Sequence, residues 1–467
     1  MDRFLTERRF IVLVFLAFAA VTLWTTLHHE GWGDETDVWL VMRDGDAGAI
    51  FGQTAYSYRG TPLLWYLAVW PLAAAGAPYL AMQLVNMFFA WAAVWIVLRY
   101  APFPRTIRAL FALSYYPAFE YAVLARPYAL LMLLMLAAAA LWRQRHERPL
   151  PLAIVVFLMA NTAVHGLIVG ALIGLARLWE WLESHTLKQR LAPIAVMLAG
   201  GLLSIAQLWP KPGGQIALTY RVELETLWYS LGSAYFPDLR TEMAMYPAIA
   251  IVLLATIAIS RSIPALLVYW GSMLPLLFIF VFVWIGGLRH AGILLILTIA
   301  VLWIAQAEGK PLRLPKPTYA LLGVALLYSV WFTWHHTKEE TLYAYSDSKE
   351  MATWIRAHGL DRLPIAAHRT ARCSPILAYL PGKQFWSPAT SRDESYIRWS
   401  GAGQLAADAP FEQVVQTARE HFRGQKWLFL SSGELPESLR GEFRMLYRTK
   451  DPIWERFDEN YTLYEPR

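Results

Sequence analysis

Eleven stretches of the chain stay apolar long enough to cross a hydrocarbon layer about 30 Å thick. They lie near residues 10–27, 79–98, 109–125, 127–142, 150–164, 166–182, 191–208, 246–260, 263–285, 290–306 and 317–334. Such runs predict transmembrane helices, because a helix satisfies its own backbone in lipid. The first follows MDRFLTERRF and has no small-residue cleavage site after it, so it reads as a retained span and not as a cleaved signal. A further stretch, Pro62 to Pro78, is apolar but short and broken by Pro71 and Gly76. From about residue 336 the pattern changes. SDSKEMATWIRAHGL predicts an amphipathic helix with Ser346 or Asp347 as N-cap and Gly359 as C-cap. LPIAAH, SPILAYL, the helical FEQVVQTAREHF and the apolar KWLFLSS follow, a succession that predicts a small α/β domain. The fold class is therefore an α-helical polytopic membrane protein over residues 1–335, with about 11 transmembrane helices, followed by a soluble α/β domain over 336–467. No internal repeat is visible.

Charge fixes the orientation. The chain is 57% hydrophobic and only 16% charged, against about 25% charge in soluble domains. The tail carries about 18 charges of each sign, so the whole net charge of +6 belongs to the membrane part. If residues 62–78 lie in the interface without crossing, about 16 Lys and Arg, among them Arg8, Arg9, Arg143, Arg145, Lys188 and Lys310, fall on one side and about 7 on the other. Basic residues accumulate on the cytoplasmic side. This places the N-terminus in the cytoplasm, and residues 28–78, residues 209–245 and the tail outside. The 62–78 stretch then reads as a juxtamembrane helix whose Trp65, Tyr66 and Trp70, with the adjoining Tyr79, suit the interface. The basic balance reports topology and implies no nucleic-acid partner. Cys373 is the only cysteine, which excludes an intrachain disulfide and a cysteine-based metal cluster.

Candidate chemistry concentrates in the first external loop, HHEGWGDETDVWLVMRDGDAG. Glu30, Asp44 and Asp46 read as solvated loop acids. Asp34 and Glu35 open a segment whose Val38, Trp39, Val41 and Met42 suit an interfacial helix, which would hold their carboxylates at the membrane surface. A carboxylate there can act as general base on a hydroxyl, a contribution of about 10²- to 10⁴-fold. Arg126, in YAVLARPYALL, and Arg289, in WIGGLRHAGILL, sit at outer span ends. Such charges are costly unless they snorkel or pair. Snorkelling accounts for either alone; both together can neutralise an anionic headgroup, whose phosphate Arg clamps bidentately. In a sugar joined to a lipid phosphate the departing phosphate needs that neutralisation, and the attacking hydroxyl needs a base. Asp34, Glu35 and Asp37 could hold a divalent metal, but no compact ligand set is evident and the chemistry requires no cofactor.

Taken in order, GDETDVW after the first span, RGTPLLWYL (59–67), YAVLARPYALL, NTAVHG (161–166) and LRH before a late span resemble the GT-C glycosyltransferases. The likeness is to the bacterial branch related to protein O-mannosyltransferases and aminoarabinose transferases, over about residues 10–310. It implies a polyprenyl-phosphate-linked sugar donor, a glycolipid, polysaccharide or protein acceptor, and inversion at the sugar carbon. It further implies a bacterial inner membrane, with transfer on the periplasmic or extracellular face. Asp34 becomes the catalytic base with Glu35 beside it, and Arg126 and Arg289 lie near the carrier phosphate. Asp37, Arg59, Tyr128, His165 and His290 are further substrate-site candidates. Two other classes compete. A transporter or lipid flippase would place ionisable groups at midplane on broken helices with internal symmetry, whereas Glu120 is the only carboxylate inside an apolar run away from its last turn. A noncatalytic scaffold presenting the tail would not require Asp34, Arg126 and Arg289 together. The tail itself reads as a structural or acceptor-docking domain.

Overall fold

The computed structural model describes residues 6–56, 60–209, 224–239, 242–283, 286–308, 316–388, 390–398, 409–450, 452–456 and 458–467. Each predicted span carries a helix. The first is α1 (Glu7–His28); three helices of the first loop follow, α2 (Gly33–Asp44), α3 (Ala47–Tyr56) and α4 (Leu64–Ala74). The bundle continues through α5 (Leu80–Tyr100), α6 (Arg105–Leu113), α7 (Tyr128–Leu141), α8 (Pro149–Ala160), α9 (Val164–Glu183), α10 (Leu191–Leu208), α11 (Leu224–Tyr235) and α12 (Glu242–Ile259). It closes with α13 (Ile263–Phe278), α14 (Leu288–Ala307) and α15 (Lys316–Leu342). Among the described residues six helical segments are long and apolar enough to cross a membrane: those of α1, α5, α9, α10, α13 and α14. The others are shorter or more polar and complete the bundle. α14 is its axis, with 89% of its apolar window buried.

Three expectations change. The stretch 109–125 is not one helix: α6 stops at Leu113, a π-helical turn covers Tyr116–Glu120, and irregular backbone runs to Pro127. Pro117 and Pro127 lack the N–H that a continuous ladder needs. Irregular backbone at this depth must find other partners, and Asn86 of α5 supplies them. Its Nδ2 donates to the carbonyls of Tyr121, Ala122 and Leu124 at 2.8, 3.1 and 3.1 Å. Gly292 of α14 lets this segment approach the axis, since a Cβ there would lie 2.2 Å from the Tyr116 ring and 2.5 Å from the Tyr121 hydroxyl. The last bundle helix runs past 335 to Leu342 because HHTKEET continues the helix in polar form, so the boundary expected at 335/336 falls inside α15. Of the first-loop helices α2, expected at the interface, is packed within the protein, whereas α3 and α4 keep exposed apolar residues, among them Phe51, Leu67 and Leu72. Residues Glu35 to Met42 of α2 are all buried, as are Trp65, Tyr66 and Tyr79; only Trp70 of the four expected interfacial aromatics is exposed.

The tail is what covers them. It comprises α16 (Ser348–Ala357), β1 (Ile365–Ala367), α17 (Thr370–Cys373), α18 (Pro375–Ala378), β2 (Phe385–Ser387), β3 (Arg392–Glu394), α19 (Phe411–His421), β4 (Leu428–Ser432), β5 (Phe443–Arg448) and β6 (Tyr461–Pro466). The strands form one mixed sheet in the order β3-β2-β1-β4-β6-β5, with β1 parallel to β2 and β4 and the other pairs antiparallel. Asp347 precedes α16, and Gly359 follows it at φ +65°, the left-handed conformation that glycine adopts freely. Met351, Ile376, Leu377 and Tyr461 share one apolar cluster with Val38, Trp39, Val41 and Met42 of α2. The tail thus adds the surface that a lone loop helix lacks. Replacing Asn86 with Ala removes this donor from the Tyr121 and Ala122 carbonyls, while that of Leu124 keeps the Arg126 N–H, and should cost at least about 1–3 kcal/mol, read as a lowered unfolding midpoint in detergent.

Candidate active site

The first turn of α2, the break before α7 and the first turn of α14 converge at one end of the bundle. Each is a place where helical pattern stops, so each can carry a charge that a span interior could not. Asp34 projects from α2, and its Oδ2 lies 2.7 Å from Arg126 Nη1 and 3.4 Å from Arg289 Nη2. The three residues singled out on separate segments therefore form one cluster. Burial would strip charge from Arg126, but the Asp34 carboxylate outweighs it and holds the guanidinium firmly protonated. Tyr121 fixes Arg289 from behind, its hydroxyl donating to the Arg289 carbonyl at 2.8 Å.

Beside this cluster lies a cavity of about 260 Å³. Arg289 and Trp32 line it together with Glu120, His336, Arg456 and the rings of Tyr115, Phe119, Tyr229, Tyr345 and Trp454. The Tyr115 hydroxyl donates to Glu120 Oε2 at 2.7 Å. On another side His290 Nδ1 accepts from the Gly287 N–H at 2.9 Å. In the neutral ring this leaves the proton on Nε2, which lies 3.0 Å from the Tyr128 hydroxyl. The His165 ring sits 5.3 Å from that of His290 and 6.2 Å from that of Tyr128. Tyr128, His165 and His290 thus form a second, aromatic wall adjoining Arg126. Arg59 lies outside the described residues.

Glu35 does not stand beside Asp34 at the site. Its carboxylate is fully buried, with Oε2 2.9 Å from His29 Nε2 and Oε1 accepting from the Ala125 N–H. The other nitrogen of His29 lies 2.9 Å from Glu340 Oε1 on α15. Burial alone would depress the imidazole, but the two carboxylates push it up to about 10. Asp37 is also buried. Asp34, Glu35 and Asp37 therefore do not converge on a metal, and among the described residues no group of three or more His, Cys, Asp or Glu is placed to hold one. His29 and Glu340 carried no recognisable signal in the sequence, since they are separated by 311 positions. The tail also contributes here. Glu459 Oε1 accepts from the Gly33 N–H at 3.0 Å, and burial raises that carboxyl to about 7.

No protein-family model and no curated protein sequence matches the chain. Among solved structures, the fold is similar to that of ArnT from Cupriavidus metallidurans bound to undecaprenyl phosphate, with TM-score 0.59, 13% identity and 97% of each chain covered. It is likewise similar to ArnT from the same organism in the apo state, with TM-score 0.60, 11% identity and 97% of each chain covered. The chain has the GT-C fold, and the likeness extends beyond residue 310 into the tail, further than the motifs alone reach.

His29→Leu leaves Glu35 and Glu340 buried without a cation and should destabilise the protein by about 3–5 kcal/mol. Because folding raises the His29 pKa, its contribution in the wild type is fully present below the ordinary value of 6.5 and is lost as pH rises through about 10. Unfolding midpoints of wild type and His29→Leu should therefore converge over that range.

Proposed function

We propose that this chain is a membrane glycosyltransferase that moves a sugar from a polyprenyl-phosphate-linked donor to a hydroxyl acceptor, with inversion at the anomeric carbon. The observation that carries the reading is Asp34 held between Arg126 and Arg289 at the edge of an aromatic, partly charged cavity. The GT-C fold and the carrier named for the ArnT structure, undecaprenyl phosphate, agree with it. The charge asymmetry of the loops supports a site on the noncytoplasmic face, with the N-terminus in the cytoplasm and the tail outside, and the resemblance to a bacterial branch supports an inner membrane.

In this reading the arginines have two successive partners. Without donor they occupy the lone pairs of Asp34. An arriving phosphate competes for the same guanidinium groups and releases the carboxylate to accept a proton. The acceptor hydroxyl then loses its proton to Asp34 while its oxygen bonds to the anomeric carbon. The bond from that carbon to the phosphate oxygen breaks, and its electron pair stays with the carrier phosphate, whose added charge Arg126 and Arg289 neutralise. His290 and Tyr128, hydrogen-bonded to each other, and His165 beside them offer polar edges for the hydroxyls of the sugar. Glu35 acts at one remove: it holds the Ala125 N–H one residue from Arg126 and belongs to the same helical turn as Asp34.

Transfer from a defined polyprenyl-phosphate sugar by purified protein tests the assignment. Asp34→Asn should lower the rate by about 10²- to 10⁴-fold, and Arg126→Gln and Arg289→Gln should weaken donor use. Undiminished transfer by a folded Asp34→Asn variant would remove Asp34 from the base role.

A further inference from the structure

We propose that Arg456, carried by the C-terminal domain, is a third arginine of the donor-phosphate site, so that the domain completes the site as well as covering it. The inference rests on the donor reading given for Asp34, Arg126 and Arg289. It is carried by Trp32, whose indole has three guanidinium groups against it: Arg456 at 3.9 Å from the ring centroid, Arg289 at 5.3 Å and Arg126 at 6.0 Å. No two of these groups can be further apart than the sum of their distances to that ring, so all three stand around one indole.

Like charges gathered on one ring repel, and the attraction of an aromatic face only partly offsets this. Asp34 supplies the counter-charge for Arg126 and Arg289. Arg456 is placed differently. Among the described residues its recorded carboxylate neighbour is Asp458, whose Oδ1 is 4.0 Å from Arg456 Nε, beyond hydrogen-bonding distance. Asp458 is meanwhile paired through Oδ2 with Arg372. Arg456 Nε is buried and makes no hydrogen bond. A buried guanidinium donor with no acceptor, facing a cavity, is a site for an anion.

The backbone holds the side chain there. The Arg456 N–H donates to the Tyr345 carbonyl at 3.2 Å, and the Trp454 N–H donates to the Ala344 carbonyl at 3.2 Å. Residues 453–456 are thereby laid along the chain that leaves α15, and Arg456 lines the same cavity as Arg289. Glu120, Asp238 and Glu455 line it too. That mixture does not suit a bare polyanion. It suits a sugar phosphate, with the arginines on the phosphate and carboxylates accepting from the hydroxyls of the sugar.

The test compares the binding of undecaprenyl phosphate and of undecaprenol to the purified full chain. Arg456→Gln should weaken undecaprenyl phosphate binding by about tenfold or more, and Arg456→Lys should recover much of the loss. Undecaprenol, which lacks the phosphate, should bind wild type and Arg456→Gln within about twofold of each other. Equal weakening for both ligands would give Arg456 a structural role and overturn the proposal. Unchanged phosphate binding by Arg456→Gln, in a preparation where Arg289→Gln binds weakly, would overturn it while leaving the donor reading intact. A wild type that binds alcohol and phosphate alike would overturn the donor reading itself, and the role of Arg456 with it.

Discussion

The carboxylate of Glu35 is the point through which the separate parts of the site are held in register. It reaches His29 after the first span and the backbone of Ala125 at the break before α7, and His29 passes the connection to Glu340 on the last bundle helix. All three side chains are buried. In low dielectric an unpaired member of such a set is expensive, so the arrangement tolerates little displacement of any of its elements. Asp34 is the neighbour of Glu35 in sequence, and Arg126 is the neighbour of Ala125. Fixing the buried pair therefore fixes the Asp34–Arg126 pair.

The second constraint is the membrane's demand that backbone polar groups be satisfied. Arg126 can stand where it does because the helix ahead of it breaks, and Asn86 sustains the break by donating to the Tyr121, Ala122 and Leu124 carbonyls, the last of which the Arg126 N–H also reaches. Gly292 gives the broken segment room against the axis helix, and Tyr121 uses that proximity to hold the Arg289 carbonyl. The same contact region thus sets both arginines on Asp34.

The sequence made the bundle legible through run length, and the tail through its change of period. Asp34, Arg126 and Arg289 were also legible, because a charge at a span end is costly enough to stand out without any partner in view. What stayed hidden depended on contacts distant in the chain. Glu35 resembled Asp34 in every local respect, yet its partners His29 and Glu340 turn it inward. Trp65, Tyr66 and Tyr79 have the chemistry of an interface belt, but α2 and the tail enclose them. Arg456 lies in a polar segment of ordinary charge density, and its meaning comes from Trp32, more than 400 positions earlier.

The order of strands in the tail has a consequence for biosynthesis. β6, at residues 461–466, lies between β4 and β5, and Glu459 and Arg456 immediately precede it. Until that strand is in place β4 is an edge and β5 has no partner, and α2 lacks the part of its cover that Tyr461 and Leu463 supply. During translation the membrane helices emerge hundreds of residues before the site can be assembled. A nascent or truncated chain would thus hold α2 partly uncovered, with Arg456 and Glu459 missing from their places, until residue 466 had been synthesised.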